Sequence, residues 1–152
     1  ENNDPYGEHD FGSFDYKGTL NNFNRTHPEL KINKSLKEIT RDDAKLIYKL
    51  DFYDAYHLEK INNEKSSKVL MHMFVMLKPN TTLDILHKSL NDAGYSSKRL
   101  LTKEMIPTLN KIEKDNKSQE FNEILKKNYI DYLKVQPDAT KYRGWFLRVE
   151  RL

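Results

Sequence analysis

The chain contains no cysteine, which excludes disulfide frameworks, thiolate zinc sites, iron–sulfur clusters and a cysteine nucleophile. It also lacks a long hydrophobic run, because no apolar stretch approaches the roughly 18 residues that a membrane-spanning helix needs. The first residues have neither the basic nor the apolar part of a secretory signal peptide. We therefore expect a soluble protein without a signal or a transmembrane segment.

A strong excess of one charge is also missing, since 26 basic and 23 acidic residues give a net charge of +3. The charges are interspersed and form no clustered basic stripe, so nucleic acid is not an expected partner. A length of 152 residues fits one domain, which can form a core without a disulfide or a metal. We predict a single domain over residues 1–152.

Glycine and proline are scarce, with five of each, and apolar residues recur at helical spacing from residue 40 onward. The predicted fold class is therefore all-α. We predict helices that begin at Thr40, at Ser66 or Ser67, and at about Thr81, Thr102, Ser118 and Ala139. Pro79 is expected to end the second helix, and Pro107 to kink the fourth or delay its start. Residues 1–36 are polar and rich in turn formers, which predicts loops with a short helix over 17–23.

The acidic residues of the first loop are candidates for acid–base chemistry. Glycoside hydrolysis uses a carboxylic acid with a raised pKa and a second carboxylate or a positioned water. Asp4, Glu8 and Asp10 lie in one short stretch, and His9 beside Asp10 could act as a base. The alternative is that these residues only form solvated turns, and no spacing here indicates a metal site.

Two further sets of side chains have a functional and a structural interpretation. Tyr48, Phe52 and Tyr53 recur on one helical stretch, where aromatic rings either stack on sugars or pack between helices. His72 lies on the apolar side of a helix between two methionines, so it is either a cleft residue or a hydrogen-bonded core histidine.

Several stretches together resemble the lysozyme-like N-acetylmuramidases of phage endolysins and secretion activator proteins. DPYGEHDFG, residues 4–12, is similar to that family's active-site loop DPGGETNYG. ITRDDAKLIY, residues 39–48, followed by DFYD, residues 51–54, is similar to one of its helices, and GWFLRV, residues 144–149, resembles its closing Gly-Trp-x-x-Arg-Val. The resemblance covers nearly the whole chain. It implies a lysozyme-like helical domain in which residues 102–152 correspond to a peptidoglycan-binding segment.

The departures from the family pattern imply a degenerate member. The Glu-Gly-Gly-Tyr motif that carries the catalytic acid in the family is not in this sequence, which leaves Glu1 and Glu8 as fallback catalytic candidates. An aspartate and an asparagine of a later family helix correspond to His72 and Met76, and a thioether cannot replace an amide as a hydrogen-bonding group. The resemblance implies no cofactor and no metal. The cleft for a substrate or a partner would be lined by Asp4, Glu8, His9, Asp10, Tyr48, Phe52, Tyr53 and His72.

Two main hypotheses follow. In the first, the chain is a non-catalytic lysozyme-like domain that serves as a structural or binding subunit of a larger protein assembly, intracellular or organellar. In the second, it belongs to an active peptidoglycan hydrolase of the cell envelope or a virion, with its catalytic glutamate upstream of Glu1. A third possibility is a cell-wall-binding module that holds glycan through its aromatic residues without cleaving it.

Overall fold

The computed structural model describes residues 16–95, 98–136 and 143–152. Within these ranges the chain forms α-helices and no β-strand, so the predicted all-α class is confirmed. The helices are α1 (Tyr16–Thr26), α2 (Arg41–Tyr48), α3 (Glu64–Met76), α4 (Pro79–Asp92), α5 (Thr102–Lys114), α6 (Ser118–Lys134) and α7 (Arg143–Glu150). None of the helices in the described ranges combines the length and the apolar character that crossing a membrane requires.

Shorter helical segments connect these elements. A π-helical segment, Lys49–Asp54, continues α2 without a break. Single turns of 3₁₀ helix cover Pro28–Leu30, Leu36–Glu38 and Leu58–Lys60.

Helix α6 forms the centre of the larger hydrophobic core. Its buried residues Phe121, Leu125, Tyr129 and Leu133 recur every four positions, which places them on one face of the helix. The helix contacts α3, α4, α5 and α7. Tyr132 of the same helix is only half-buried, whereas the next residue, Leu133, is buried.

A second, smaller core lies under α1. The predicted short helix over 17–23 is present and extends over Tyr16–Thr26. Leu20 and Phe23 of α1 pack with three isoleucines that come from the following loop and from α2. Burial of this face explains why the helix is longer than its polar sequence suggested. The three isoleucines are Ile32, Ile39 and Ile47.

The start of α2 is as predicted and the start of α3 is not. Thr40 caps α2 by accepting a hydrogen bond from the Asp43 N–H at 3.1 Å, and Asp43 Oδ2 accepts one from the Thr40 N–H at 3.0 Å. For α3 the predicted caps, Ser66 and Ser67, are wrong. Asn63 is the cap, because its Oδ1 accepts from the Ser66 N–H at 2.9 Å, and both serines are buried inside the helix.

The second predicted helix ends before Pro79, as expected, whereas Pro107 does not delay the start of α5. Helix α3 ends at Met76, and Pro79 is the first residue of α4, where a missing N–H costs nothing. Helix α5 begins at Thr102 and continues through Pro107, so the predicted later start is wrong. Gly94 follows α4 with a positive φ of 86°, which glycine adopts without strain.

Candidate functional site

The aromatic residues singled out in the sequence lie on and beside the π-helical segment. The rings of Tyr48 and Phe52 meet edge to face, with centroids 5.9 Å apart and planes at 68°. The Lys49 ammonium lies 5.6 Å from the centre of the Tyr53 ring and also pairs with Asp54 Oδ1 at 2.5 Å. Tyr48, Phe52 and Tyr53 are each half-buried, so each presents part of its ring at the surface. We call Tyr48, Phe52 and Tyr53 the aromatic face.

Tyr56 anchors this region to the larger core. Its ring stacks on Phe74 of α3 at a centroid distance of 3.9 Å and an interplanar angle of 7°. Burial, together with the negative charge of Asp51, raises the pKa of the Tyr56 hydroxyl. The aromatic face is therefore mounted on a packed segment, and π-helical insertions of this kind are frequent at functional sites.

An Asp–His pair that the sequence did not reveal lies next to the aromatic face. Asp51 Oδ1 lies 2.9 Å from His27 Nε2, and the His27 ring packs against Phe23 at 4.9 Å. The Asp51 side chain is only 10% exposed, and its Oδ2 is buried without a hydrogen-bond partner among the described residues. Because this oxygen does not reach solvent, the pair ties α1 to the π-helical segment and does not offer a carboxylate to a substrate.

His72 makes a different set of contacts. Its Nδ1 lies 3.0 Å from the Tyr129 hydroxyl, between α3 and α6. Burial, followed by the positive charge of Arg148, lowers the pKa of His72 from 6.5 to about 4. The imidazole is thus neutral at pH 7 and occupied by a core partner, which fits the interpretation of a hydrogen-bonded core histidine.

His72 and the ring that supports Tyr56 lie on nearly opposite sides of α3. Phe74 stacks on Tyr56 and is two positions from His72, and two positions correspond to about 200° around an α-helix. Among the cleft residues predicted from the sequence, Tyr48 and Phe52 contact each other. His72 instead contacts Tyr129 of α6. Met76, the other position singled out in the sequence, is buried with 8% of its surface exposed.

The remaining candidates cannot be placed. Glu1, Asp4, Glu8, His9 and Asp10 lie outside the described residues. In the part of the chain that is described, no three histidine or acidic side chains are grouped so that they could hold a metal ion.

Comparison of the chain with protein-family models, with curated proteins and with solved structures finds no match.

Proposed function

We propose that the chain is a non-catalytic, degenerate lysozyme-like domain that binds another protein chain through its aromatic face. The observation that carries the proposal is the half-buried set Tyr48, Phe52 and Tyr53 on a packed π-helical segment. Tyrosine and phenylalanine are enriched at the cores of protein interfaces because they bury a large area at a small cost in conformational entropy.

The geometry favours a protein over a glycan as the ligand of this face. A sugar stacks on the open face of an aromatic ring, but one face of Tyr53 is already covered by the Lys49 ammonium. Tyr48 and Phe52 are edge to face and do not form a flat platform. Lys49 and Asp54 add a polar rim of the kind that surrounds protein interfaces.

The non-catalytic part of the proposal rests on the two positions that depart from the family pattern. His72 is half-buried against Tyr129 with its pKa lowered to about 4, and Met76 is a core residue. Neither side chain offers the hydrogen-bonding oxygen that the resemblance implies there. A turbidity assay on purified peptidoglycan tests this part, with no clearing expected. Clearing that is abolished by Glu8→Gln would establish the hydrolase alternative.

The binding part is tested by isolating the tagged chain from the cells in which it occurs. We expect a stoichiometric protein partner with the wild-type chain and its loss with Phe52→Ala or Tyr53→Ala. The matched control is Tyr95→Ala, which removes another half-buried tyrosine, one that donates to Asp115 Oδ2 at 2.7 Å. Circular dichroism must show that each variant is folded. Retention of the partner by both aromatic-face variants would contradict the proposal, and capture on glycan beads that Tyr53→Ala abolishes would favour the cell-wall-binding module.

A further inference from the structure

A polar cavity of about 240 Å³ lies between the first turns of α3 and the first half of α6. Its apolar lining consists of Leu152 and of Val69, which is completely buried. We call it the amide cavity, and its polar lining consists of Asn63, Lys65, Gln119, Asn122, Glu123 and Lys126.

Hydrogen bonds to neighbouring side chains fix the orientation of two lining amides, those of Asn63 and Asn122. Asn122 is 5% exposed; its Nδ2 donates to Asn63 Oδ1 at 3.1 Å, and its Oδ1 accepts from Ser66 Oγ at 2.6 Å. Asn63 Nδ2 in turn donates to Glu113 Oε1 at 3.0 Å, which adds α5 to the network. Each amide nitrogen carries two hydrogens and each amide oxygen accepts two bonds, so these described bonds leave Asn122 one donor and one acceptor for a ligand. The orientation of its amide is fixed before any ligand arrives, which lowers the entropic cost of binding.

The charges around the amide cavity favour an anion. Lys126 is only 15% exposed, and its Nζ donates to the Glu150 carbonyl at 3.0 Å and lies 3.7 Å from Glu123 Oε2. Lys65 adds a second ammonium, so two positive groups face one carboxylate that is 66% exposed. The amino-terminal turns of α3 and α6 lie beside the same space, and the helix dipoles add positive potential there.

We propose that the amide cavity binds a small hydroxylated carboxylate. The lysines would pair with its carboxylate, because ammonium–carboxylate bonds are the stronger, charge-assisted kind. The amides of Asn122 and Gln119 would hydrogen-bond its hydroxyl groups, both donating and accepting. This site is separate from the aromatic face and does not depend on the function proposed for it.

The test is a titration of the whole chain, followed by amide NMR, with three probes in a buffer of low salt. D-glucuronate carries both groups, D-glucose lacks the carboxylate and acetate lacks the hydroxyls. We expect saturable shifts with D-glucuronate, corresponding to a dissociation constant on the order of 1 mM, and at least fivefold weaker binding of the other two. The shifts should centre on the first turns of α3 and α6.

Matched variants decide whether the amide cavity is the site. Lys65→Gln should weaken D-glucuronate about fivefold, whereas Lys68→Gln, the same charge change at an exposed position of α3 outside the lining, should leave binding unchanged. Gln119→Ala, at an exposed position, should weaken binding without unfolding the chain. No saturable shift, equal binding of D-glucose, or unchanged binding in both Lys65→Gln and Gln119→Ala would overturn the proposal.

Discussion

His72 is a half-buried imidazole that the native structure holds in its neutral form. Its Nδ1 is 3.0 Å from the Tyr129 hydroxyl, and burial and Arg148 lower its pKa to about 4. The unfolded chain binds this proton near pH 6.5 and the folded chain only near pH 4. Between these values the unfolded state therefore holds more protons, and the protein loses stability as the pH falls.

We expect the free energy of unfolding to fall by up to about 1.4 kcal/mol per pH unit because of this one residue. His72→Gln removes the titration while its amide can still hydrogen-bond to the Tyr129 hydroxyl. Urea unfolding of both proteins between pH 6.5 and pH 4 isolates the contribution of His72, because every other group is shared. Parallel stability curves for the two proteins would contradict the burial of a neutral imidazole.

His57 is held in the left-handed region of backbone conformation, with a φ of 57°, directly before the 3₁₀ turn at Leu58–Lys60. A residue with a Cβ is strained there by about 1 kcal/mol relative to glycine, and asparagine is strained less because its short polar side chain can hydrogen-bond locally. We expect His57→Gly to raise the free energy of unfolding by about this amount, less the entropy that glycine adds to the unfolded chain. Asn116 is the matched control, because its φ is 59° but asparagine tolerates this region. An equal or larger gain from Asn116→Gly would show that strain at His57 is not the cause.

Within α4, Thr82 contributes a buried hydroxyl to a face that also buries leucine and isoleucine side chains and Ser89. The residue is completely buried, and its Oγ1 has no hydrogen-bond partner among the described residues. Thr82→Val keeps the shape and removes the unsatisfied group, so we expect a gain of about 1 kcal/mol in thermal or urea unfolding. Thr81→Val, at the neighbouring half-buried position, should change stability much less. A loss of stability in Thr82→Val would mean that the hydroxyl is satisfied, for example by an internal water.

The helices were predictable where the deciding contacts are local. The Thr40 cap depends on Asp43, three residues away, and such a capping box can be read in the sequence. The apolar period of α6 likewise needs only its own residues. The cap of α3 was missed because Ser66 and Ser67 are equally good capping residues, and only tertiary burial of both serines leaves the role to Asn63.

The candidate site was predictable in its aromatic residues and not in its geometry. Tyr48, Phe52 and Tyr53 were visible as a recurring set, but a π-helical segment differs from an α-helix by one residue in its hydrogen bonding, and packing decides between them. The His27–Asp51 pair joins residues 24 positions apart. No local pattern in the sequence marks such a pair, so only the packing of α1 reveals it.

At the scale of the whole molecule, the fold joins two apolar clusters and displays the aromatic face on the π-helical segment that follows α2. Tyr56 holds this segment against α3, and the His27–Asp51 pair holds it against α1. Because these two contacts already fix the aromatic face, its side chains lose little conformational entropy on binding, which suits a contact surface. The protein-binding role that we propose for this face can be measured directly.

That measurement is site-specific photo-cross-linking in the cells in which the chain occurs, with a photoreactive phenylalanine derivative at position 53 and, as a control, at position 95. We expect one protein adduct of defined mass from position 53 and no corresponding adduct from position 95. Failure of position 53 to form an adduct in a folded chain, or the same adducts from both positions, would contradict a partner at the aromatic face.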